Sequence, residues 1–182
     1  MVVRPIEKSD IKNAVELVHA LNLTPDFYSG YCPRDKRLVE EEVKAASESK
    51  GGLVFETGGE LKGLLLYFKT PSDAFDISGP FVKDRDMEGA SALMDHFLRM
   101  VGPDVQINAF FDAKSGFYKA LMSEYGFEFQ EHEHILKLLK ENYVPEEAGM
   151  TLKHPEKADK PFIKSMHQEI FGDVYITEAM LL

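Results

Sequence analysis

"FVKDRDMEGASALMDHFL" (residues 81–98) leaves an apolar run, crosses four consecutive charges, and enters a small-residue turn followed by an amphipathic pattern. Ala90, Leu93, Met94, Phe97 and Val101 recur at helical spacing, and Gly102-Pro103 stops the pattern. The stretch therefore reads as a strand feeding a helix. A helix N-terminus presents unpaired N–H groups and a partial positive charge, which suits a pyrophosphate, and glycines let phosphates approach the backbone. Arg85 fits that use, whereas Glu88 stands where a glycine would help. A carboxylate about 4 Å from a phosphate charge costs about 1 kcal/mol in water and about 4 kcal/mol at an effective dielectric of 20, unless its side chain turns outward. Asp84, Asp86 and Glu88 also fit the ordinary use of acids in a first helical turn, where they cap the helix and offset its dipole.

Working outward, "VVRP" predicts a short strand, and "SDIKNAVELVHALN" a helix capped by Ser9 or Asp10 with Ile11, Ala14, Val15, Val18 and Leu21 on one face. An aromatic loop "TPDFYSGYCPRDK" follows, then a charged helix whose apolar stripe (Leu38, Val39, Val43, Ala46) is narrow, so it should lie half exposed. Gly58-Gly59 joins two strands as a hairpin. "AFDISGPFV" completes the meander, with Gly79 marking a bulge and Pro80 removing a ladder donor. "DVQINAFF" predicts a strand, "AKSGFYKALMSEY" a helix closed by Gly126, and "FEFQEHEHILKLL" a long final strand. The order β-α-α-β-β-β-α-β-α-β over residues 1–140 predicts a mixed α/β fold, one sheet with helices on both faces.

The chain of 182 residues holds enough apolar sequence (44%) for one core and part of another. No apolar run approaches a membrane span, and "MVVRPIEKSD" lacks a secretory signal, so a soluble cytoplasmic protein is expected. A net charge of -10 argues against a broad nucleic-acid surface. Cys32, the single cysteine, forms no internal disulfide and has no zinc-site spacing beside it.

"RPIEKSD" at residue 4 recurs as "KHPEKAD" 149 residues on, each after a short apolar run and each before a helical pattern. The expected organisation is a domain over residues 1–141 and, over 142–182, a linker with the start of a second copy; the alternative is a polar linker and one docking helix. A lone strand-helix unit cannot bury its own apolar face. Phe162, Ile163, Met166, Ile170 and Phe171 should then pack on the first domain or on another chain, which makes this segment the expected route to a homo-oligomer.

This order and three local motifs resemble the GNAT superfamily of acyl-CoA-dependent N-acetyltransferases. The resemblance covers residues 1–140, and residues 150–182, with "MHQEIFGDVYIT", look like the opening of a second such repeat. "GPFV" (79–82) is similar to the family strand whose backbone holds the pantetheine arm. Arg85-Asp-Met-Glu88-Gly-Ala90 is similar to the family's Arg/Gln-x-x-Gly-x-Gly/Ala, with Ser91-Ala92-Leu93-Met94 on its following run. A shifted register, Asp86-x-x-Gly89-x-Ser91, restores one glycine and loses the arginine. "INAFF" and "YGFEF" match the late strand with its Asn108 and the opening of the last strand.

The resemblance implies acetyl transfer from acetyl-CoA to a primary amine by direct attack, with Phe81, Val82, Arg85, Glu88, Gly89, Ala90 and Asn108 at the cofactor. It implies a backbone donor around Ser78 to Phe81 for the thioester carbonyl. The family's usual acid position, four residues before the "GF" glycine, is Met122 here, and Tyr118 lies one turn earlier as the candidate acid, or as a core tyrosine. Asp76 interrupts an apolar strand on the face of Ser78 and is the candidate base or substrate ligand. Phe27, Tyr28 and Tyr31, in the loop that lines the acceptor pocket of GNAT relatives, are candidate substrate contacts, or loop anchors. The acceptor expected is a small-molecule or peptide amine. "EHEH" puts His132 and His134 on one strand face without a third ligand, so no metal is expected. Glu88 and Met122 both favour a rival reading, a GNAT-fold module that has lost catalysis and serves in binding or assembly.

Overall fold

Where the pattern alternates or runs apolar, strands form: β1 (Val2–Pro5), β2 (Gly52–Thr57), β3 (Glu60–Lys69), β4 (Phe75–Val82) and β5 (Ile107–Ala109). Where it recurs every three to four residues, helices form: α1 (Ile11–Asn22), α2 (Lys36–Ser49), α3 (Met87–Val101) and α4 (Gly116–Glu124). The structure, a computed structural model, describes residues 1–132 and 156–171. The strands make one sheet in the order β1-β2-β3-β4-β5, antiparallel except for the parallel pair β4–β5.

Side chains alternate across a strand, so three successive fully buried residues, Leu64, Leu65 and Leu66, require cover on both faces of β3. α3 supplies one cover: Phe97 meets Tyr67 at a tilt and Phe75 edge-on, and Leu93 lies over Gly63. α1 and α2 supply the other, with Ala14, Val15, Val18, Val39, Val43 and Ala46 buried. Leu38, expected in the apolar stripe of α2, is instead exposed, so the buried stripe is narrower still: Val39, Val43 and Ala46.

The predicted last strand is not formed where it can be seen. Residues 127–132 carry no strand. Gly126 at φ 71° ends α4 with the reciprocal bonds Gly126 N–H to Ser123 O (3.2 Å) and Phe127 N–H to Met122 O (2.9 Å), so the chain leaves the helix in a capping turn. The rest of that strand, with His134, lies outside the described residues, as does the expected boundary at 141/142.

In the second unit, α5 (Lys160–Phe171) follows a 3-10 turn at Lys157–Asp159. The Glu156 N–H bonds Asp159 Oδ2 at 2.9 Å and the Asp159 N–H bonds Glu156 O at 2.9 Å. The turn Glu7 to Asp10 ahead of α1 carries the same pair, at 2.8 and 3.0 Å. In the first unit Arg4 also grips Asp10 with both terminal nitrogens and pairs with Glu56, and this lowers the Asp10 carboxyl below its usual value.

Candidate functional site

Ser78 pairs with Leu66 and Phe81 with Leu64, so Gly79 and Pro80 together oppose one β3 residue, which is a bulge. Gly79 sits at φ 96°, and a Cβ there would stand 2.7 Å from Phe81 N, so only glycine fits. The Gly79–Pro80 peptide is cis. β5 pairs with β4 for three residues, Phe75–Ile107, Asp76–Asn108 and Ile77–Ala109. From Ser78 onward β4 keeps β3 on one side and, among the described residues, has no strand on the other. Among the described residues the sheet opens there.

At the end of β4, residues 83–85 make a 3-10 turn with Asp84 and Arg85 at φ 56° and 55°, a left-handed pair that non-glycine residues seldom adopt. Asp86 then caps α3: its Oδ1 accepts the Gly89 N–H at 3.0 Å. Gly89 and Ala90 are buried and face the sheet. A Cβ on Gly89 would lie 2.4 Å from Phe55 Cε1, so this glycine serves the approach of α3 to β2. Glu88 turns outward and is exposed. Arg85 pairs with Asp26 at 2.9 Å. The helix mouth thus faces a carboxylate of its own chain, and Arg85 already holds another.

Asn22, buried at the end of α1, shapes the connection to α2: its Nδ2 donates to Cys32 O and Pro33 O, both at 3.1 Å, and its Oδ1 accepts the Ser29 N–H at 2.8 Å. Ser29 bridges Phe111 antiparallel, through Gly30 N–H to Phe110 O (2.8 Å) and Asp112 N–H to Tyr28 O (3.3 Å). Ser115 caps α4 and its Oγ donates to Asp26 O at 2.7 Å. Residues 26–30 therefore run beside the continuation of β5, next to the opening in the sheet.

Phe27 is buried at 4% exposure against Phe117 and Tyr118. Tyr118, at 1%, has its Oη 3.4 Å from both Phe27 O and Pro80 O, so one hydroxyl spans loop and bulge and donates to either carbonyl. Burial raises that hydroxyl well above the usual tyrosine value, with Cys32 adding to the effect. Met122, in the family's usual acid position, is buried core.

On β4 and β5, Asn108 Nδ2 donates to Asp76 Oδ1 at 2.9 Å, and Gln106 Nε2 donates to Asn108 Oδ1 at 2.9 Å. Asn108 is thus engaged with Asp76. Tyr31 meets Phe110 edge-on, and Arg34 lies 4.4 Å over the Tyr28 ring. Ser78 Oγ and Ser29 Oγ, both buried, have no hydrogen-bond partner among the described residues. So do the α2 carboxylate's Oε2 at Glu42, whose pKa burial pushes up to about 7, while burial first and then Glu42 push the Cys32 thiol up to about 12. No group of three metal-ligating side chains occurs among the described residues. Among them, too, no helix is long and apolar enough to cross a membrane.

The loop ties were missed in the sequence. Asp26, Ser115 and Asn22 are small polar residues whose local patterns are ordinary, and their partners lie far along the chain or in irregular backbone. Ser115 as a helix cap was the one readable sign, since it precedes the "GFYKALM" pattern.

No protein-family model matches this chain, and no curated protein sequence does. Solved structures do. A predicted acetyltransferase with acetyl-CoA from Clostridium acetobutylicum superposes with a TM-score of 0.52 at 12% identity, over 78% of this chain and 97% of that one. A variant of TTHA1254 from Thermus thermophilus gives 0.51 at 13%, over 76% and 98%. Rv2747 from Mycobacterium tuberculosis, in complex with CoA and NLQ, gives 0.50 at 18%, over 75% and 76%. Element order, sheet topology and these likenesses agree that the chain has a GNAT-like mixed α/β fold.

Proposed function

We propose that this chain binds an acyl-CoA thioester and transfers its acetyl group to a primary amine by direct attack. The observation that carries the reading is the opening of the sheet after Ile77 and Ala109, beside the Gly79–Pro80 bulge and under the Tyr118 hydroxyl. Support comes from Ser78 and Ser29, two buried hydroxyls beside this opening that have no partner among the described residues, since such groups are costly unless something meets them. The fold's likeness to structures that hold CoA or acetyl-CoA supports it too.

The transfer forms one C–N bond and breaks one C–S bond, and the leaving thiolate takes a proton. In this chain the bulge backbone would steady the carbonyl oxygen, and Tyr118 would give its proton to the leaving thiolate. Asp76, held by Asn108, would receive the amine and take the proton the nitrogen sheds, which returns to Tyr118 through solvent as the products leave. Burial raises the pKa of this hydroxyl and so makes it a weaker donor, and the transfer therefore depends on the thiolate being held close to it. Arg85 and the mouth of α3 would meet the phosphates. The acceptor side would be lined by Tyr28 and Tyr31.

A second reading, a module that has lost catalysis, is favoured by the Asp86 cap across the helix mouth and by Phe27 filling the space beside Tyr118. Thiol release from acetyl-CoA, followed against a panel of small and peptide amines, separates the two. Amine-dependent release supports the transferase. Binding of acetyl-CoA without release under any amine supports the module.

A further inference from the structure

We propose that residues 26–30 are a strap that closes the opening between β4 and β5 and stands in for the ligand until a CoA thioester displaces it. The proposal rests on the acyl-CoA reading above. Its basis is a correspondence between what the strap offers and what the ligand would offer. Arg85, the cation at the mouth of α3, holds the Asp26 carboxylate at 2.9 Å where it would otherwise meet a phosphate. The Tyr118 hydroxyl, the candidate proton donor, faces Phe27 O at 3.4 Å, with Pro80 O at the same distance on the other side. The backbone of residues 28–30 pairs with 110–112, on the continuation of the strand that has just left β4. The Phe27 side chain fills the space against Phe117 and Tyr118.

The ties that a CoA thioester contests directly are weak: the Arg85–Asp26 pair is half exposed on both sides, the Tyr118 contacts are long, and the backbone pairing is a single isolated bridge. The Ser115 Oγ bond to Asp26 O at 2.7 Å, the Ser29 N–H bond to Asn22 Oδ1 at 2.8 Å and the burial of Phe27 hold the strap more firmly, and opening has to overcome them. A phosphate competes directly for Arg85, so the ligand itself favours the open form. Only a ligand that binds one form better than the other can shift such an equilibrium, and the apparent affinity falls by the fraction of molecules that are open.

The test is a lock. Ser29 and Phe111 are a non-hydrogen-bonded antiparallel pair, because the bonds run between their neighbours, Gly30 to Phe110 and Asp112 to Tyr28. Such pairs place Cα atoms about 4.5 Å apart, within reach of a disulfide. The full chain carrying Ser29→Cys and Phe111→Cys is titrated with acetyl-CoA by calorimetry, oxidised and reduced, beside wild type and Asp26→Ala. The expected result is that oxidation weakens binding at least about tenfold, reductant restores it, and Asp26→Ala tightens it about three- to tenfold by unloading Arg85. Equal binding by the oxidised and reduced lock overturns the strap and leaves the acyl-CoA reading standing. If the disulfide does not form, Asp26→Ala decides, and an unchanged affinity overturns the strap. No binding by any form, at millimolar acetyl-CoA, overturns both.

Discussion

Asp86 Oδ1 accepts the Gly89 amide hydrogen at 3.0 Å, so the acid that opens α3 stands at the same helix end that would receive a phosphate. The two uses compete. Asp86→Ala removes the cap and should cost about 1 kcal/mol of stability. It should also tighten acetyl-CoA about three- to fivefold, because a carboxylate near a phosphate costs about 1 kcal/mol in a wet site. Chemical denaturation and calorimetry on the same variant read the two effects. Weaker binding would show that the capped geometry itself is what the ligand uses.

Gly89 is a packing residue in this structure. A methyl placed there meets the Phe55 ring at 2.4 Å, inside contact distance, so α3 must lift from β2. Gly89→Ala should therefore destabilise by about 1–3 kcal/mol, seen as a lower urea midpoint. An unchanged midpoint would contradict the packing of α3.

Glu42 makes stability depend on pH with an unusual sign. Its folded pKa is raised from the ordinary 4.5 to about 7 by burial. Between those values the folded chain holds the proton more tightly than the unfolded chain, so this group's contribution falls as pH rises and the penalty is complete above about pH 7. Glu42→Gln should match wild type near pH 4.5 and exceed it by about 1–2 kcal/mol at pH 8, with solvent screening of a half-buried group allowed for. Urea midpoints across this range check it, and a constant difference would refute the burial effect.

Asn22 joins α1 to the loop through three hydrogen bonds. Asn22→Ala leaves the Ser29 amide and two carbonyls to find other partners, at about 1–3 kcal/mol. Faster amide exchange at Ser29 and Gly30 than in β3 should accompany it. Uniform loss across both regions would place Asn22 in the global core instead.

Most of the first unit's architecture was legible in the residues. Helical spacing located α1 to α4, Gly58-Gly59 the β2–β3 hairpin, and Gly79 the bulge, because each rests on local backbone preference or on one face seeking burial. The final strand was less legible: its alternation is real, but Gly126 and Phe127 engage in the cap of α4, and residues 127–132 show no strand. At the site, the phosphate-loop pattern pointed to Gly89 and Ala90, yet helix phase turns both toward the sheet and turns Glu88 outward. Phe27 read as a substrate contact or a loop anchor and Tyr118 as an acid or a core tyrosine, and long-range packing, 91 residues apart in sequence, buries the two together. Spacing within an element predicts a face. It carries no information about which distant loop will cover that face.

The most direct measurement is a calorimetric titration of acetyl-CoA into the full wild-type chain, with a thermal melt at the same concentrations. A CoA-binding protein should give saturable heat and a rise in Tm. The absence of both heat and shift at millimolar acetyl-CoA would contradict the account.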